Sequence, residues 1–161
     1  MKKLSLFFVL LTFGSLAQTP QEKIIIVLNN WHFAAANAKF DDYMSAMTND
    51  AIYIGTDATE NWNKKDFMTF AKPYFDRGKA WSFTVLERHI YLSKDQKTAW
   101  FDELLNTQMK ICRGSGIVVL IKGQWKIKHY VLSMTIPNDT VDEVVKIKTP
   151  IEDKLLIEFK K

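Results

Sequence analysis

An α+β fold is expected, with a curved antiparallel sheet wrapped on three N-terminal helices and a helical tail behind it. Three observations predict this. Helical spacing of apolar residues governs the chain from Ile24 to Phe75, alternation replaces it from Trp81 to Ser133, and the alternation slips near Glu87. Three short helices cannot close a strongly bent sheet completely, so the expected shape is a cone with a cavity between sheet and helices.

The elements follow in order. Thr19, Pro20 and Glu22 form a helix start, with Thr as N-cap, Pro at the first helical position and Glu completing a capping box. Ile24, Leu28, Trp31, Ala35 and Ala38 then lie on one face of a helix running to about Asn37. A short second helix carries Phe40, Tyr43, Met44 and Met47, and Ala51 to Gly55 has the composition of a strand. Thr56 to Asn63 reads as a loop. Asn63 caps a third helix with Phe67, Phe70, Ala71, Tyr74 and Phe75 on its face, and Gly78 stops it. Trp81 to Leu92 is a long strand in which a bulge or bend near Glu87 accounts for the change of parity. Thr98 to Asn106 is the next strand. Cys112 to Ser133 supplies the last two, joined at Lys122 and Gly123, where glycine provides the positive φ of a tight hairpin. Beyond Pro137, charged residues alternate with Val, Ile and Leu, and Thr149, Pro150 and Glu152 repeat the helix-start pattern. Pro150 to Phe159 is therefore expected to be helical.

Residues 1–17 read as a secretory leader. Lys2 and Lys3 precede an apolar run from Leu4 to Phe13, too short to span a bilayer, and Gly14 to Ala17 ends like a signal-peptidase site. Residues 18–137 are then the folded domain and 138–161 the tail, and export to the periplasm or medium is expected, with no membrane span left after cleavage. Removal of the two lysines leaves 20 basic residues against 18 acidic ones, so the basic character belongs partly to the leader. Scattered lysines with no stacking aromatics beside them exclude a nucleic-acid binder. Cys112 is the only cysteine, so no intrachain disulfide forms, and stability must come from a core that 47% hydrophobic residues can supply.

The order of elements, the segment WHFAAANAKFDDYMSAMTNDAIYIGTDATENW and the closing GQWKIKHYVLS resemble the SnoaL-like branch of the nuclear transport factor 2-like superfamily, over Ile24 to Pro137. The resemblance implies a cone-shaped, cystatin-like roll and a pocket inside it. Relatives with this fold include ketosteroid isomerases, polyketide cyclases, dehydratases and binding or assembly domains without chemistry. In the enzymes an acidic residue within the cone moves a proton beside a carbonyl, and Tyr, His or a second acid stabilises the enolate. No stretch here aligns with those catalytic motifs, so only the position of a pocket carries over.

Candidate site residues come from strand parity. Lys126 and Lys128 must face water, which puts Trp125, Ile127, His129 and Val131 on the concave face. His129 there is either a satisfied core histidine or a general base. One acid of Asp102 and Glu103 must face inward; Asp102 is preferred as a proton shuttle, because the longer Glu103 can reach solvent. Arg113 is expected to pair with that acid or to bind an anionic group, beside glycines that let a ligand approach. Trp31, Tyr53, Trp62 and Tyr130 are candidate cavity walls, and Asp57 sits on the loop that the resemblance places at the cavity mouth. Asp57, Glu60 and His32 lack recognised metal-ligand spacing, so neither a metal nor another cofactor is expected. Three readings follow: a pocket for a small apolar or aromatic ligand, an isomerase, cyclase or dehydratase built on the inward carboxylate, and a homodimer through the outer face of the sheet, where Tyr130, Leu132 and Met134 make one end apolar.

Overall fold

In the computed structural model, which describes residues 18–160, helix α1 (Pro20–Ala36) opens the domain and α2 (Phe40–Ser45) follows it. The capping box of α1 is complete. Glu22 N–H donates to Thr19 Oγ1 over 3.2 Å and Thr19 N–H to Glu22 Oε2 over 2.8 Å, a cap of the kind that contributes about 1 kcal/mol. Strand β1 (Met47–Ile54) leads into β2 (Asn61–Asn63), a three-residue strand inside the stretch expected to be loop. Asn63 then caps α3 (Lys64–Asp76), its side chain accepting from Asp66 N–H at 3.0 Å. Four long strands complete the sheet: β3 (Thr84–Leu92), β4 (Thr98–Thr107), β5 (Lys110–Ile121) and β6 (Gln124–Met134).

The six strands lie in the order β2-β1-β6-β5-β4-β3. All neighbours are antiparallel except β1 and β6, which run parallel. The bend expected near Glu87 is a register shift between Val85 and Glu87, with Leu86 as the extra residue. A second shift was not foreseen. Ile117 pairs with His129 while Val118 pairs with Ile127, so Lys128 has no partner on β5. With a further register shift between Met47 and Ile52 on β1, these irregularities curl the sheet around the helices.

The interior of the roll is filled by aromatic rings. Trp31 stacks on Tyr43 with centroids 4.8 Å apart and meets the edge of Tyr130 at 4.8 Å, while Tyr53 stacks on Phe67 at 4.0 Å. Trp31, Tyr43, Phe67 and Tyr130 are almost wholly buried. Ring pairs of this kind add about 0.5–1.5 kcal/mol each beyond their buried area. The cavity expected between sheet and helices is therefore closed at its centre, and concavities lie towards the two ends of the sheet.

The tail differs from expectation in extent. A 3-10 turn at Asn138–Thr140 starts α4 (Val141–Glu158), which runs straight through Pro150. No residue of α4 is buried, and Val145, Ile147, Ile151 and Ile157 are more than half exposed. Among the described residues no helix is long and apolar enough to cross a membrane. The leader reading falls on residues 1–17, outside those described.

Candidate functional site

The polar centre of the roll is Glu103, and four donors converge on it. On β4 the buried set is Ala99, Phe101, Glu103, Leu105 and Thr107, which turns Glu103 inward and Asp102 outward. Glu103 Oε1 accepts from His32 Nε2 at 2.8 Å and from the Tyr130 hydroxyl at 3.1 Å. Oε2 accepts from Arg88 Nε at 2.8 Å and Nη2 at 2.6 Å, and Arg88 Nη1 donates onward to Asn29 Oδ1 at 2.8 Å. Burial raises the Glu103 pKa, but the hydrogen bond from His32 and the charge of Arg88 outweigh burial and hold the carboxyl below its usual range. Burial, and then the charge of the same carboxylate, push the Tyr130 phenol well above its ordinary value. An ionised carboxylate only accepts, so the network assigns a proton to His32 Nε2; Nδ1, also buried, has no partner among the described residues.

Local sequence explains the convergence. His32 follows Leu28 by four residues and shares the buried face of α1. Arg88 shares parity with Ile90 and Leu92 beyond the β3 bulge, and pairs across the sheet with Glu103. Gly114, opposite Glu103 on β5, leaves room for the junction: a Cβ there would lie 2.3 Å from the Tyr130 hydroxyl and 2.9 Å from Glu103 Oε1.

Three expected positions are corrected by this geometry. His129 is not on the concave face, because the Lys128 bulge shifts β6 by one residue; it aligns with the exposed Ile117, and Tyr130 and Leu132 turn inward instead. The bulge lets both lysines face water as expected, and Lys128 Nζ is held by Asp50 Oδ2. Asp102 faces out and bonds His89 Nδ1 at 3.1 Å, while His89 Nε2 lies 3.2 Å from Glu87. The bond to Asp102 raises the His89 pKa above its ordinary 6.5. Arg113 is exposed, opposite Leu104 and Ser133, so the guanidinium that meets the inward acid is that of Arg88. Parity carried past the β3 bulge points to Arg88, and i+4 spacing from Leu28 points to His32.

The remaining candidates separate. Trp31 and Tyr130 belong to the filled interior. Tyr53 and Trp62 line a cleft of about 190 Å³ at the rim, together with Phe67, Phe70, Trp81 and Phe83. Gly55, Thr56 and Glu60 from the β1–β2 loop and Gln108 from the β4–β5 turn edge the same cleft. Asp57 holds that loop, accepting from Thr59 N–H at 2.9 Å and from the Thr59 hydroxyl at 2.6 Å, which lowers its pKa. Phe83 stands between rim and network, its ring 5.7 Å from that of His32. The cleft is thus apolar at its walls and polar at its lip, and the carboxylate behind it is already saturated.

Comparison with known proteins agrees with this architecture. A family model described as a SnoaL-like domain matches residues 24–137. Among solved structures, a candidate dehydratase of the nuclear transport factor 2-like family from Streptomyces avermitilis superposes with a TM-score of 0.63 at 12% identity, covering 74% of this chain and 100% of that one. A nuclear transport factor 2-like protein from Cytophaga hutchinsonii gives 0.61 at 14%, covering 73% and 100%. One of unknown function from Pseudomonas putida gives 0.61 at 12%, covering 73% and 87%. At such identities the likeness is one of fold. A search of curated proteins finds no match.

Proposed function

The chain belongs to the SnoaL-like domain family, and on that premise we propose that it is an exported binding domain which takes a small aromatic or apolar molecule with one polar group into the rim cleft. The observation that carries this reading is the cleft itself, walled by Tyr53, Trp62, Phe67, Phe70, Trp81 and Phe83 with Glu60 and Gln108 at its lip. Its 190 Å³ is close to the roughly 150 Å³ of an apolar cavity that holds benzene, which sets the ligand at about one ring. Flat walls favour a flat ligand, and the polar lip receives its substituent.

Turnover is a weaker reading, because both oxygens of Glu103 are engaged by strong donors and its pKa is lowered, the opposite of what proton abstraction from carbon requires. Titration calorimetry with phenol and indole tests the binding reading. Saturable binding that weakens about tenfold or more in Trp62→Ala is expected, since a lost ring contact and its area are worth at least about 1.4 kcal/mol. Undetectable binding, or the same affinity in the variant, overturns it.

A homodimer through the sheet is compatible with this function and has its own observation. Tyr91 and Trp100 stack on the outer face at 5.9 Å, both more than two-fifths exposed, with Ile117 beside them. Exposed aromatic patches of this kind mark association surfaces. Light scattering is expected to give twice the chain mass, and Trp100→Glu to return it to one chain mass; a monomeric wild-type chain at high concentration rejects the dimer.

A further inference from the structure

A second concavity opens at the other end of the sheet from the rim cleft. The rim is edged by the β4–β5 turn at Gln108 and Met109, whereas this groove, of about 670 Å³, is edged by the β5–β6 turn at Gly123 and Gln124. The two turns stand at opposite ends of β5, a strand of 12 residues, and so roughly 35 Å apart at the usual rise per residue. The groove's size falls within the range of drug-sized ligand sites.

Its lining combines cations with apolar surface. Lys23 from α1, Lys39 from the α1–α2 connection and Lys126 from β6 face Asp42 as the single acid, while Val27, Phe33 and Trp125 supply apolar walls. Two of the lysines are held in place: Lys126 Nζ donates to the Ser45 carbonyl at 2.7 Å, and Lys39 Nζ lies 5.1 Å from the centre of the Phe33 ring. Neither contact neutralises charge. An independent feature is Trp31, 1% exposed, which forms part of the lining while its buried Nε1–H has no acceptor among the described residues. A buried indole N–H ordinarily finds a partner.

We propose that this groove is a binding site for an amphipathic monocarboxylate, an acid carried on an apolar chain or ring. The carboxylate would lie among the lysines, whose ammonium groups act as point charges suited to one anionic head. The apolar body would cover Val27, Phe33 and Trp125. Net positive lining favours an anion over a neutral or cationic ligand, and the apolar walls favour an organic acid over a bare inorganic ion. The site differs from the rim cleft in its edging turn and in the charge of its lining.

Titration calorimetry on the full chain distinguishes the sources of such an acid, with decanoate as the chain acid and indole-3-propionate as the ring acid, each compared with its neutral amide. Saturable binding of at least one acid is expected, with its amide about tenfold or more weaker, the loss of a charge-assisted contact. Raising the salt concentration weakens the acid and not the amide. Lys23→Gln combined with Lys39→Gln, both at exposed positions, is expected to weaken the acid by a similar factor, and Trp62→Ala at the rim to leave it unchanged. Absence of binding by both acids overturns the proposal. So does equal binding of acid and amide, or a loss in Trp62→Ala without one in the lysine variant.

Discussion

Glu103→Gln is expected to cost about 3–5 kcal/mol of folding stability, the usual consequence of removing one partner from a buried ion pair. The substitution keeps the shape and removes the charge. It leaves the Arg88 guanidinium, 6% exposed at its side chain, without a counter-ion, and gives Oε1 or Oε2 over to an amide nitrogen that meets donors. Urea unfolding followed by circular dichroism measures the loss. Wild-type stability in the variant, within about 1 kcal/mol, would show that the charged network does not hold the roll together. Arg88→Met in the same background is expected to cost far less than it does in the wild-type chain, because the two residues share one interaction. The pH dependence has a definite sign. The folded carboxyl titrates below its unfolded value of 4.5, so its contribution is complete above that value and is lost as pH falls through the folded pKa. The wild-type chain therefore loses this part of its stability on acidification, and Glu103→Gln, already without it, shows a flatter acid limb.

Gly116→Ala is expected to be strongly destabilising, because the atom it meets is backbone. A Cβ at Gly116 would stand 2.4 Å from the His129 carbonyl oxygen and 2.9 Å from the Phe101 ring. The ring can turn, but the carbonyl belongs to the partner strand at the bulge, so relief requires β5 and β6 to part. Overpacking a formed interior costs about 1–3 kcal/mol, and more where backbone must move. A shift of the denaturation midpoint by less than about 0.5 kcal/mol would show that the strands separate freely there. Gly123 is a contrast, since its φ of +80° suits the hairpin turn and nothing lies within 4 Å of a Cβ; substitution there acts through backbone strain alone.

These two positions mark how far the sequence could be read. Helix starts were legible because capping is local: Thr19 with Glu22, and Asn63 with Asp66, satisfy the amide groups that their spacing predicts. The bend in β3 was legible because apolar residues change sides around it. The β6 bulge left no such trace, since Lys126 and Lys128 face water whether or not the strand slips, and His129 was misplaced as a result. The pair Asp102 and Glu103 was ambiguous by parity alone. Reach favoured Asp102 as the inward acid, but the deciding partners, His32 and Arg88, stand 71 and 15 residues away in the chain. Pro150 suggested a helix start and lies inside α4, where Thr149 Oγ1 donates to the Val145 carbonyl at 2.7 Å. The centre of the cone is full for a reason that composition shows only in part: Trp31, Tyr53 and Tyr130, expected as walls, pack with Tyr43 and Phe67 into the space they were expected to enclose.

The β6 bulge makes the strand a message with two reading frames. In the frame adopted, Tyr130 and Leu132 face the helices and His129 and Val131 face solvent; a regular strand through the same residues would exchange the two sets and offer Glu103 an imidazole in place of a phenol. The extra residue at the change of frame is Lys128, anchored on the surface by Asp50. The choice between a phenol and an imidazole beside Glu103 thus turns on one unpaired residue of β6 that lies outside the roll.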